Sequence, residues 1–74
     1  MIENIQGSMI PAIELAPGDQ FYFDNDKGNI FTVISYIFYP NGDVKYVRCM
    51  KPGKLYPVYF SRRAMVIKLK TKIN

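Results

Sequence analysis

The chain has 74 residues, 49% of them hydrophobic and 15% aromatic, with ten Lys and Arg against six Asp and Glu, one Cys and no His. That length means one domain, whose net stability is on the order of a few kcal/mol. A single Cys excludes an internal disulfide. The absence of His removes the commonest zinc ligand beside Cys and the usual general base near neutral pH.

Charge is divided unevenly. Residues 1–26 carry five acids and no base, whereas residues 27–74 carry all ten cations and only Asp43, a net of +9. Such asymmetry points to an acidic partner for the basic part, or to an acidic segment that folds back over it. The N-terminus has no basic, apolar leader and no apolar run is long enough to span a bilayer, so a soluble, cytoplasmic protein with no membrane partner is expected.

In chain order, residues 1–12 show no clean period and read as an arm or a short first strand, leaving 13–74 as the domain. Pro17-Gly18 forms a turn into a strand at "QFYF". "DNDKGN", residues 24–29, reads as a loop of turn formers. It lacks the Gly and the bidentate Glu that a calcium loop of the EF-hand type requires, so no metal is expected there. "NIFTVISYIFY" is a long strand, closed by Pro40-Asn41-Gly42. A three-residue loop with Gly42 in the left-handed region sets Tyr39 across from Asp43. It then pairs Phe38 with Val44, Tyr36 with Tyr46, Ile34 with Arg48 and Val33 with Cys49. A two-residue Asn-Gly turn would shift this register by one and exchange the faces. "KPGK" leads into a strand at "LYPVYF", with Pro57 marking an edge or a bulge. In "AMVIKLKTKI" the period of two puts Met65, Ile67, Leu69 and Ile73 on one face and Lys68, Lys70 and Lys72 on the other. The expected core is Phe21, Phe23, Phe31, Val33, Val47, Val58, Phe60, Met65, Ile67 and Leu69.

Five strands joined by short Gly/Pro turns predict an all-β fold, a small five-stranded barrel with an extended N-terminal arm. A Pro-Gly-Asp turn into the first strand, a loop, three meandering strands, a short polar connection and a last strand resemble the SH3-like small barrel, over about residues 13–70. "LAPGDQFYF…GNIFTVI" is also similar to short uncharacterised proteins of bacteria and their phages. That likeness implies no function.

Enzyme chemistry is disfavoured by inventory, and no cofactor or catalytic residue is expected. Most carboxylates fall in turns, where capping and solubility account for them. Cys49 reads as a small buried core residue, although Arg48 and Lys51 beside it are cations that could lower a thiol pKa. The surface carries more information. Eleven aromatics, six of them Tyr, exceed what one small core can hide. In the expected register Tyr36, Tyr46 and Arg48 share one face. With Arg62, Arg63, Lys68, Lys70 and Lys72 they form the candidate binding set. Tyr beside Arg is enriched in protein interfaces, and aromatics beside cations also bind single-stranded nucleic acid. The favoured reading is a non-enzymatic binding protein, of the kind a phage or mobile element would use to dock on and modulate a larger, acidic protein. The alternative is a nucleic-acid-binding small barrel of low sequence specificity. No RNP-type signature is present to favour the latter.

Overall fold

A computed structural model describes residues 8–69. Within them the fold is all-β. Strands β1 (Met9–Pro11), β2 (Gln20–Phe23), β3 (Asp26–Phe38), β4 (Val44–Met50), β5 (Val58–Ser61) and β6 (Met65–Lys68) form one antiparallel sheet in the order β1-β6-β2-β3-β4-β5. The only helix among the described residues is one 3-10 turn, Ala12–Glu14. The expected five strands are therefore six, because Met9–Pro11 joins the sheet alongside β6. The sheet is also open: β1 and β5 are its two edges and share no ladder.

Strong curl replaces closure. In a flat sheet β2 and β5, separated by two strands, would lie about 14 Å apart at about 4.8 Å per step. Yet the rings of Phe23 on β2 and Phe60 on β5 are 5.0 Å apart, and those of Phe21 and Phe60 are 6.1 Å apart. Phe31 joins both, stacked on Phe21 at 5.6 Å and edge-on to Phe60 at 5.1 Å. The inner side of the curl holds the core of Ala12, Leu15, Phe21, Phe31, Val33, Val47, Cys49 and Val66, with Ile10, Phe23, Tyr36, Val58, Phe60 and Ala64 packed on it. The 3-10 turn ties the segment before β2 to the β5–β6 connection. Ala12 N–H donates to the Ala64 carbonyl at 2.8 Å, and Ile13 N–H to the Arg62 carbonyl at 3.0 Å. Burying Ala12 and Leu15 there contributes apolar area that a four-residue strand could not supply alone.

The β3–β4 hairpin starts as its turn chemistry dictates. Gly42 N–H donates to the Tyr39 carbonyl, Tyr39 N–H to the Asp43 carbonyl, and Gly42 sits at φ +97°, where a Cβ would be strained. Phe38 pairs with Val44, and Val33 with Cys49, as the sequence predicts. Between those two pairs the register differs. Lys45 is an extra residue on β4 and Ile34 an extra residue on β3, so Ile37 pairs with Tyr46, Tyr36 with Val47 and Ser35 with Arg48. The expected pairs Tyr36–Tyr46 and Ile34–Arg48 do not form. Two compensating β-bulges reverse the faces over the middle of the hairpin, and bulges of this kind bend and twist a strand. The Ile34 bulge lies just beyond Thr32, where β3 passes from β2 to β4, and the Lys45 bulge lies next to the hairpin turn, between the Ile37 and Phe38 pairs.

Other expectations change for equally local reasons. The loop expected at 24–29 shrinks to Asp24-Asn25, because β3 already begins at Asp26 and its carboxylate receives Asn29 Nδ2 at 2.8 Å. The strand expected from Leu55 begins at Val58, beyond Pro57. On β6, Val66 is fully buried in the core and Ile67 is buried on the opposite face beside Tyr22, while Met65 is 45% exposed and Leu69 half-buried. A period-two count cannot see that the neighbours Val66 and Ile67, on opposite faces of β6, are both buried, and that the core takes Val66. Ile73 lies outside the described residues.

Two substitutions test this packing. Leu15→Ala should lower the free energy of unfolding by about 2–5 kcal/mol, and Tyr36→Phe by about 1 kcal/mol through loss of its hydroxyl bond to the Leu15 carbonyl. Urea unfolding reads both. A neutral Tyr36→Phe together with a neutral Tyr36→Ala would return Tyr36 to the solvent side and refute the bulged register.

Candidate interaction face

The outer side of β3-β4-β5 is built by alternation. Val47 and Cys49 point inward on β4, which turns Tyr46, Arg48 and Met50 outward. On β5, Val58 and Phe60 pack on the core, which turns Tyr59 and Ser61 outward. The ladder sets Arg48 directly between Ser35 of β3 and Tyr59 of β5, and Tyr46 between Ile37 and Ser61. Tyr46, Tyr59, Ile37 and the bulge residue Ile34 are all exposed. Arg48 is half-buried in the middle of them.

Arg48 carries the main electrostatic feature of this face. Its Nε is shielded from solvent and has no hydrogen-bond partner among the described residues. A guanidinium cannot shed its charge, so an unmet N–H there costs about 1–3 kcal/mol. A carboxylate is the natural complement, since it can accept two parallel bonds from one edge of the guanidinium. Bulge residue Lys45 extends the polar rim. Its Nζ lies 5.5 Å from the Tyr39 ring centroid and 5.3 Å from that of Tyr46, in cation–π range of both.

The structure brings together only part of the set expected from sequence. Tyr46 and Arg48 are neighbours on the outer face. Tyr36 is not with them, because the Lys45 bulge aligns it with buried Val47, and its hydroxyl donates to the Leu15 carbonyl. Arg62 is tied back to β4 through Nη1 donating to the Val44 carbonyl at 3.3 Å, while Arg63 is exposed in the β5–β6 turn. Lys68 is three strands from β4 in the sheet and pairs with Asp19 at 3.5 Å. Lys70 and Lys72 lie outside the described residues. Tyr59 and Ile37 belong to the face but were not among the expected site residues. The alternation of Val58–Ser61, with Phe60 as the apolar anchor, was the available signal for Tyr59. Nothing local signalled Ile37. The excess of aromatics is real: Phe38, Tyr39, Tyr46, Tyr56 and Tyr59 are exposed, five of the eleven.

No protein-family model, curated protein or solved structure matches this chain. Among the described residues no group of three or more His, Cys, Asp and Glu is placed to hold a metal ion, and no helix is long and apolar enough to cross a membrane.

Cys49 is fully buried, and burial pushes its thiol up to about 11. At neutral pH it is a neutral packing group, and the neighbouring Arg48 side chain leaves on the other face of the strand. The folded thiol holds its proton more tightly than the unfolded one. Its stabilising contribution is therefore complete below the ordinary value of 9.0 and is lost as pH rises from there through about 11. Comparing urea unfolding of the parent with Cys49→Val across that window should show an extra loss in the parent, approaching about 1.4 kcal/mol per pH unit at its steepest. Native Cys49 should also react slowly with iodoacetamide at neutral pH and quickly in denaturant. Equal rates in both conditions would place the thiol at the surface.

Proposed function

We propose that this chain is a non-enzymatic protein-binding domain that holds an acidic, partly apolar segment of a larger protein on the outer face of β3-β4-β5. The observation that carries the proposal is Arg48, a permanently charged group with an unmet N–H, across from exposed Tyr59 and two residues along β4 from exposed Tyr46, which faces Ile37. Aromatic and Arg anchors ringed by apolar contacts are the usual composition of a binding hot spot. A carboxylate on the partner would pair Arg48, while its apolar neighbours would cover Ile34, Ile37 and the Tyr rings.

Nucleic acid is the second reading, and the same face favours it less. Single-strand binders need cations tracking a backbone beside stacking rings. Here Ile34 and Ile37 interrupt the aromatic surface, Arg62 is bonded to Val44, and Lys68 is paired with Asp19. The SH3-like arrangement also belongs to this proposal. Its support is the connectivity, a β2–β5 meander followed by a tight turn at Arg62-Arg63 and a last strand returning to β2, together with the curl that brings Phe60 onto Phe23.

Selection of peptides from a displayed library on the folded domain tests the reading. Enriched peptides should carry Asp or Glu next to apolar residues. Tyr59→Ala and Tyr46→Ala should each weaken their binding by about 2 kcal/mol. Arg48→Lys should fail to restore what Arg48→Ala loses, because lysine lacks the planar fork. Salt dependence should be modest. Binding of single-stranded DNA or RNA that falls steeply with salt, resists Tyr59→Ala and is lost in Arg62→Ala/Arg63→Ala would establish the nucleic-acid reading instead.

A further inference from the structure

Away from that face, the β4–β5 loop presents the most exposed large apolar side chain of the described residues. Leu55 is 97% exposed and Tyr56 next to it is 58% exposed. The loop is shaped by its own backbone. Pro52-Gly53 makes a turn in which Lys54 N–H donates to the Lys51 carbonyl at 3.1 Å, with Gly53 at φ +85°, and Pro57 stiffens the exit. Lys54 Nζ lies 6.0 Å from the Tyr56 ring. The result is an exposed apolar knob flanked by Lys51 and Lys54, with a hydrogen-bonded turn on its entry side and Pro57 on its exit.

The opposite character appears where β1, β6 and the β2–β3 turn meet. Met9, Phe23 and Met65 line an open cleft of about 400 Å³ whose rim carries Asp24 and Asn25. Met9 and Met65 are each nearly half exposed. Methionine walls adapt to irregular side chains. A Lys-rimmed knob and an Asp-rimmed apolar cleft therefore occur on one chain, at separate places. We propose that the cleft of one molecule receives the Leu55–Tyr56 knob of a second copy, with Lys54 facing Asp24. The contact uses two different surfaces, which can pair reciprocally about a two-fold axis or head to tail. A reciprocal pair uses both knobs and both clefts and stops at a dimer, whereas a head-to-tail contact leaves one of each unused and runs on until a ring closes. This inference involves neither Arg48 nor the outer face of β3-β4-β5, so it stands or falls separately from the proposed function.

Sedimentation velocity of the full chain, from micromolar to near-millimolar concentration, tests it. The parent should associate with rising concentration, to a dimer or beyond, and less so at high salt. Leu55→Asp should raise the dissociation constant roughly tenfold or more, with an unchanged circular dichroism spectrum because the side chain touches no core. Asp24→Lys, on an exposed turn, should weaken association as well. The double variant Asp24→Lys/Lys54→Glu, which exchanges the charges across the contact, should associate more tightly than Asp24→Lys alone. A parent that stays monomeric throughout overturns the proposal. So does a Leu55→Asp variant that associates like the parent, or a double variant no tighter than the single one. Loss of association in Leu55→Asp with none in Asp24→Lys would send the knob to another surface and also refute it.

Discussion

Two extra residues in the β3–β4 ladder govern much of this molecule. Ile34 and Lys45 each displace the register by one, in opposite directions, so the hairpin begins and ends in step but runs out of step between them. A bulge bends its strand, and β3 is long enough to need bending, since it pairs with β2 at one end and β4 at the other. The bend lets β5 swing toward β2, which allows Phe21, Phe23, Phe31 and Phe60 to meet as a single aromatic cluster. Six short strands could not hide that much ring area in a flat sheet.

The same shift distributes polar groups between inside and outside. Tyr36 turns inward, and its hydroxyl meets the Leu15 carbonyl at the end of the 3-10 turn, so one side chain joins the hairpin to the segment that seals the core. Arg48 stays outward between two strands, its Nε shielded from solvent and without a hydrogen-bond partner among the described residues. A local mismatch of this kind is costly in a domain with only a few kcal/mol to spare. A partner carboxylate, in the proposed function, would pair the remainder of the guanidinium and not this enclosed Nε.

Charge follows a simpler logic. The cation excess of residues 27–74 does not form one continuous stripe among the described residues. Arg62 and Lys68 are engaged at home by Val44 and Asp19, Lys45 lies over Tyr39 and Tyr46, and Lys51 and Lys54 flank the β4–β5 loop. The acidic turn at Asp24–Asp26 lies at the β2–β3 corner. A chain organised this way offers several small charged surfaces rather than a single groove.

The sequence by itself determined the class of fold, the turns and the anchors nearest to them. Pro17-Gly18, Pro40-Asn41-Gly42 and Pro52-Gly53 are legible because turn chemistry acts over four residues, and a buried Cys49 is legible from its place two residues after Val47 in a strand. Tyr46 and Arg48 were found as outward residues, since they lie on a strand with a clean alternation next to Val47 and Cys49. Only the tertiary structure decided that Tyr36 faces inward, that Tyr59 and Ile37 complete the face, that Val66 and Ile67 of β6 are both buried and that the sheet has a sixth strand. Each of these depends on partners distant in the chain: Leu15 is 21 residues from Tyr36, and Met9 pairs with Ile67. In "NIFTVISYIFY" eight of the eleven side chains are apolar or aromatic and they fall on both alternating sets, so hydrophobicity does not choose between the two faces. The choice falls to curl, packing and a single hydroxyl finding its acceptor.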